Sequence, residues 1–223
     1  MDTEEGSELP SSKLGTKEHW DATYAEELKN FHENGDSGEI WFSLSCQHRL
    51  VDWLKKNVSS KETKILDIGC GNGALLMELA EDGFEELTGI DYSPAAIELA
   101  KQVADTDLHS HNIQFLVVDV LHVDDSLLHQ TNFDVILDKG TYDAISLDPL
   151  GAEEKRSRYI RSVSALLANG GIFLITSCNW TREELTKHFD QMLSPEAVIP
   201  APTLQFGGKT GQTVTSLVLQ KHS

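Results

Sequence analysis

From residue 64 onward, short apolar runs alternate with longer segments whose apolar positions recur every three or four residues. The runs are KILDIG (64–69), ELTGID (86–91), IQFLVVDV (113–120), FDVILDKG (133–140) and GIFLITSCN (171–179). Between them NGALLMELAED (72–82), SPAAIELAKQVA (93–104), EEKRSRYIRSVSALLA (153–168) and TREELTKHFDQML (181–193) carry helical spacing. Pro94 suits the first turn of its helix, and Asn169-Gly170 suit the end of theirs. Strands that are apolar nearly throughout are buried on both faces, and strands alternating with helices pair in parallel. The tail breaks this rhythm: TLQFGG and TVTSLVLQK flank KTGQ with no helix between. Strands that close together pair antiparallel.

Upstream, TKEHWDATYAEELKNF (16–31) has helical spacing with Thr16 as N-cap. LSCQHRLVDWLKKN (44–57) predicts a second helix with Leu50, Trp53 and Leu54 on one face. The acidic, polar residues 1–13 are expected to be a disordered tail. No repeat or second domain is visible, so residues 14–223 form one domain: leading helices over 14–60, then a core over 61–223. The expected fold is α/β, a Rossmann-like doubly wound seven-stranded sheet, mostly parallel, with an antiparallel C-terminal hairpin.

Composition narrows the function classes. A 39% hydrophobic and 24% charged chain is ordinary for a soluble globular protein. It has neither an 18-residue apolar run nor a signal-peptide pattern at its start. Cys46, Cys70 and Cys178 are odd in number and widely spaced, which is neither a disulfide framework nor a zinc pattern. The nine histidines show no paired metal spacing, so no metal is expected. The sequons at Asn57 and Asn179 are then chance matches, and a cytoplasmic location is expected, with the nucleus as a second compartment. A net charge of -18 would repel a nucleic-acid backbone. It would attract a basic protein partner, or simply keep the chain soluble; both readings stand.

Gly69-Cys70-Gly71-Asn72-Gly73-Ala74 joins a strand to a helix and loosely satisfies a dinucleotide fingerprint. Three carboxylates change that picture. Asp67 stands where dehydrogenase fingerprints carry an apolar residue; it would repel a pyrophosphate and help to hold a cation. Asp91 ends the second strand, where an acid grips ribose hydroxyls. Asp119 ends the third, in reach of an adenine edge. Together they suit an adenosine that carries a positive centre and no phosphate, which is S-adenosyl-L-methionine.

LDIGCGNG, GIDYSP and VVDV resemble the class I (seven-stranded) S-adenosylmethionine-dependent methyltransferases over about residues 60–220. EHWDATY (18–24), GEIWF (38–42), LDKGTYDAISL (137–147) and LITSCNWTREEL (174–185) are similar to the eukaryotic elongation factor 1-alpha lysine methyltransferase 2 group, from Leu14 onward. The resemblance implies a monomeric protein-lysine N-methyltransferase acting on elongation factor 1-alpha. A small-molecule methyltransferase of the same fold is the alternative, and a non-enzymatic binding module is disfavoured by the intact loop and acids. It also implies that the cofactor is held by Gly69, Gly71, Gly73, Asp91, Tyr92, Asp119, Val120 and Lys139, with Trp20 and Tyr24 from the leading helix.

Trp20 and Tyr24 are four apart and share a helical face, either towards the sulfonium or packed on the sheet. Trp41 carries the same two readings, and Phe42 is assigned to the core. Asp138, at the end of the fourth strand, is the expected acceptor-positioning carboxylate, with Tyr142, Asn179 and Trp180 lining the acceptor slot. Asp143 belongs to a substrate rim or caps a short helix. Asn179 competes with Thr181 as the cap of the helix that follows. GGKT (207–210) lacks the first glycine of a phosphate loop and is a hairpin turn.

Overall fold

The computed structural model describes residues 8–106, 112–125, 132–206, 209–212 and 214–222. Helices α1 (Lys17–Asn34) and α2 (Leu44–Asn57) lead into the alternating core. There β1 (Ile65–Ile68), α3 (Ala74–Glu81), β2 (Leu87–Asp91), α4 (Pro94–Asp105), β3 (Gln114–Val117) and β4 (Phe133–Lys139) follow in order. Next come α5 (Thr141–Ser146), α6 (Ala152–Leu166), β5 (Leu167–Ser177), α7 (Arg182–Phe189) and β6 (Leu193–Ile199). The chain closes with β7 (Thr203–Phe206), β8 (Lys209–Gln212) and β9 (Thr215–Lys221). Among the described residues no helix is long and apolar enough to cross a membrane.

Seven strands form one sheet in the order β3-β2-β1-β4-β5-β9-β6. The first five are parallel, and β9 is antiparallel to both its neighbours. Side chains alternate between the faces. Leu66, Ile68, Ile136, Phe173 and Leu219 pack on one side against α5, α6 and α7, where Tyr142, Tyr159, Val163 and Phe189 are buried. Ile65, Val135, Leu137, Leu174 and Val218 pack on the other against α2, α3 and α4. Helix α1 lies outside that layer, where Tyr24 packs against Ala96 and Leu99 of α4.

Three expectations are corrected. The antiparallel partner of β9 in the sheet is β6, from LSPEAVI, while TLQF and KTGQ pair with each other as a separate two-stranded sheet. Pro195 hid β6 in the sequence; it is tolerated because β6 is the edge strand and is irregular between Pro195 and Ala197. KTGQ, expected as the link between two strands, is itself β8, while the hairpin expected at GGKT is present, since Phe206 pairs with Lys209. Helix α6 stops at Leu166, and Asn169-Gly170 lie inside β5, because the chain turns extended at Leu167 to pair with Phe133.

Of the expected tail, residues 1–7 lie outside the described residues, and 8–13 are docked. Glu8 makes a two-pronged ion pair with Arg156 of α6, at 2.6 and 3.1 Å. Leu9 packs on the core cluster that contains Tyr142 and Trp180. The Ser12 amide donates to the Leu147 carbonyl at 3.0 Å. At Gly15 the strap touches the Leu147–Asp148 backbone so closely that a Cβ would collide with it.

Candidate active site

Strand order reverses between β1 and β4, and at such a switch point the connections leave in opposite directions and open a crevice at the carboxyl ends of the strands. A cavity of about 190 Å³ lies there. Gly69, Cys70 and Gly71 come from the end of β1; Asp91, Tyr92, Val118 and Val120 come from the β2 and β3 side. Lys139, Asp143, Ala144, Cys178 and Asn179 come from the β4 and β5 side. The segments before β1 add Leu14, Trp20, Tyr24, Trp41 and Phe42.

Two glycines set the wall between these halves. Gly69 has φ +67°, and a Cβ there would strike the hydroxyl of Thr141, which donates to the Ile68 carbonyl at 2.7 Å. Gly71 has φ +54°, and a Cβ would strike the Tyr24 hydroxyl. Asp91 accepts the amides of Gly71 at 3.2 Å and Ser93 at 2.9 Å. Burial pushes its carboxyl up to about 6, against the opposing pull of those two N–H groups. Two buried groups of the lining, the Tyr92 hydroxyl and the Trp41 indole N–H, have no partner among the described residues. Unpaired polar atoms beside a half-satisfied carboxylate fit a ligand rich in hydroxyls and amines, and the apolar Val118 and Val120 fit a flat ring beside it.

Trp20 and Tyr24 line the cavity, and the helix they stand on packs on α4 and not on the sheet. Their rings stack at 6.1 Å. Trp41 meets Trp20 edge-on at 4.9 Å. Phe42, assigned to the core, instead lines the cavity with its ring over Gly140. Phe42 and Ser43 hold φ of +63° and +77°. Such strain in non-glycine residues gathers at functional sites.

The segment LDKGTYDAI is arranged differently from expectation. Asp138 is 1% exposed, does not line the cavity, and accepts the Thr141 and Tyr142 amides at 2.9 Å and the Tyr159 hydroxyl. It caps the start of α5 from below. Burial raises its carboxyl to about 7, against the opposing Tyr159 bond. Tyr142 and Trp180 are likewise behind the wall. The Tyr142 hydroxyl meets His188 Nδ1 at 3.0 Å, and the Trp180 indole donates to Ser146 Oγ at 3.1 Å beneath the Arg156 guanidinium. The apolar faces of both rings won over the slot. Asn179 does line the cavity, and Thr181 takes the cap of α7 in a reciprocal pair with Glu184. Asp143, one turn after Asp138, is the carboxylate that reaches the lining.

Asp67 is not in the main cavity. It sits behind the glycine loop in a void of about 20 Å³ with Gln47, Asn72 and Lys139. Burial raises its carboxyl to about 7, the nearby Lys139 charge opposing and Asp138 and Asp91 adding to the rise. Lys139 borders both spaces, and its Nζ donates to the Trp41 carbonyl at 3.2 Å, tying the strained turn to β4. Asp119 lies two residues beyond the end of β3 and outside the lining, its carboxylate accepting the Leu121 amide at 2.9 Å. Gly73 is the N-cap of α3, beside the Phe115 ring and outside the lining. Leu14, Leu147 and Ala144 went unnoticed because an apolar wall residue has no signature in sequence.

This sheet order, with a glycine loop and a carboxylate at the end of β2, defines a methyltransferase domain, and the comparisons agree. A protein-family model described as a methyltransferase domain matches residues 59–217, and the chain belongs to that family. Human EEF1A lysine methyltransferase 2 is 47% identical over 94% of this chain and 87% of its own length. A protein-lysine N-methyltransferase of Schizosaccharomyces pombe is 39% identical over 96% of both chains. Among solved structures the [4+2]-cyclase SpnF superposes with a TM-score of 0.69 at 17% identity, covering 97% of this chain and 99% of that one. The Bradyrhizobium japonicum N-methyltransferase NodS, in complex with S-adenosyl-L-homocysteine, gives 0.63 at 20% identity, covering 90% and 100%. These two likenesses concern the fold.

Proposed function

We propose that the protein is an S-adenosylmethionine-dependent protein-lysine N-methyltransferase and that its substrate is elongation factor 1-alpha. The observation that carries this reading is the 47% identity to the human elongation-factor enzyme across 94% of the chain, leading helices included. The lining fits the cofactor. Asp91 would accept the ribose hydroxyls, Val118 and Val120 would flank the adenine, and Gly69 and Gly71 leave room for close approach. When bound, the cofactor supplies an electrophilic methyl group on a sulfonium, and the faces of Trp20 and Tyr24 suit that cation. The protein's own contribution is orientation in a pocket that lowers an entering amine's basicity by desolvation.

The -18 net charge favours encounter with a basic protein. The same reading places the enzyme in the cytoplasm, where elongation factors work, with the nucleus as a second compartment. It is read as a monomer. The test is transfer from radiolabelled S-adenosylmethionine to purified elongation factor 1-alpha, with the label located by peptide mass spectrometry. Label on a lysine supports the reading. Label on no protein residue, with cofactor binding intact, moves the substrate to a small molecule.

A further inference from the structure

We infer that Asp143 receives the acceptor amine, a role that rests on the methyl-transfer reading above. The side chain stands in the first turn of α5, is 5% exposed, and lines the cavity. One carboxylate oxygen accepts the Ser177 hydroxyl and the other accepts the Cys178 amide at 2.7 Å. The Cys178 thiol and the Asn179 amide also lie near enough to favour its charged form, and the residue still lines the cavity. Among the described residues no lysine, arginine or histidine forms an ion pair with it. Lys139, the cation of the same lining, spends its Nζ on the Trp41 carbonyl. A buried carboxylate without a counter-charge is costly, and a cationic ligand relieves that cost.

Its place along the sheet fits. Asp91 ends β2 and Asp143 follows β4, with β1 between them. Neighbouring strands lie about 4.8 Å apart, so the two carboxylates mark ends of a span on the order of 10 Å. A cofactor anchored by its ribose at Asp91 then presents its far end to Asp143 and Asn179. Asp138 has no such opportunity, since it does not line the cavity and is 1% exposed.

The chemistry balances. An entering lysine ammonium gives one proton to an Asp143 oxygen, and burial, which raises this carboxyl, makes it a better acceptor. The freed nitrogen lone pair bonds to the methyl carbon, while the carbon–sulfur pair stays on sulfur as a neutral thioether. The product is a methylated ammonium, and Asp143 passes its proton to solvent.

The test uses sinefungin, a cofactor analogue with a primary amine in place of the sulfonium methyl, against S-adenosylhomocysteine, by calorimetry on the full chain. The wild type should bind sinefungin at least about tenfold tighter. Asp143→Asn should cut that preference to within about twofold, leave S-adenosylhomocysteine affinity unchanged, and slow methyl transfer by about 100-fold. A wild type with no preference for the amine overturns the inference, whether or not the variant folds. So does a variant that keeps the full preference and rate. If the wild type prefers the amine but labels no lysine, the substrate reading fails and Asp143 stands.

Discussion

The Asp91 carboxylate accepts the Gly71 amide at 3.2 Å, so the acid at the end of β2 fixes the glycine loop even before it meets a ligand. Asp91→Ala therefore removes both a ligand acceptor and a brace of the loop. We expect S-adenosylmethionine affinity, read by calorimetry, to fall by about 100-fold, or about 3 kcal/mol. A variant that binds within threefold of the wild type would place the cofactor elsewhere.

Buried acids give an unusual pH dependence. Asp67 titrates near 7 in the folded protein, well above the unfolded carboxylate. A raised carboxyl adds stability that is complete below the unfolded pKa and lost as pH rises through the folded one. The protein should therefore gain stability on acidification from pH 8 to pH 5, within the window set by Asp67 and Asp138, both raised to about 7. Asp67→Asn should be more stable than the wild type at pH 8 by about 1–2 kcal/mol, less than the full shift implies because Lys139 loses its neighbour. At pH 5 the difference should be smaller, and it should vanish only below the ordinary carboxylate range. Urea unfolding at both pH values decides it, and an equal effect at both contradicts the assignment.

Ser43 has φ +77° and ψ 152°, a region that glycine alone occupies without cost. Ser43→Gly should raise stability by about 1 kcal/mol, seen as a higher melting temperature. An unchanged or lower value would mean that the turn draws no strain from this residue.

The Glu8–Arg156 pair latches the strap that carries Leu14 to the cavity. Arg156 is largely buried over Trp180, so Arg156→Ala loses packing as well as charge. We expect faster proteolysis within residues 8–16 and weaker cofactor binding, with a stability cost of about 1–2 kcal/mol. Unchanged cleavage would show the strap held by Leu9 and Ser12 alone.

The alternation of apolar runs and helical spacing was enough to read the parallel half of the sheet, because burial on both faces leaves a continuous signal. It failed at β6, where only an edge strand could admit Pro195, and at residues 8–13, whose polar composition conceals partners far along the chain. In the site, Asp91 and the glycine loop were legible because backbone geometry demands those residue types. Of the two acids of LDKGTYDAI, the sequence points to Asp138 for the acceptor and to Asp143 for the rim or a cap. In the structure Asp138 accepts the amides that open α5, and Asp143 lines the cavity. Asp138 stands three residues before Thr141, the spacing of a side chain that accepts amides at a helix start, and that was the available clue. Tyr142 and Trp180 looked functional because rings do, yet their surfaces are worth more to the core than to the slot.

The central claim is that this chain places methyl groups on a lysine of elongation factor 1-alpha. The most direct measurement is the methylation state of that protein, by mass spectrometry, in cells from which this gene has been deleted. The account predicts one lysine that loses methylation, regains it with the wild-type chain, and does not regain it with Asp91→Ala. A methylation pattern unchanged by the deletion would contradict it.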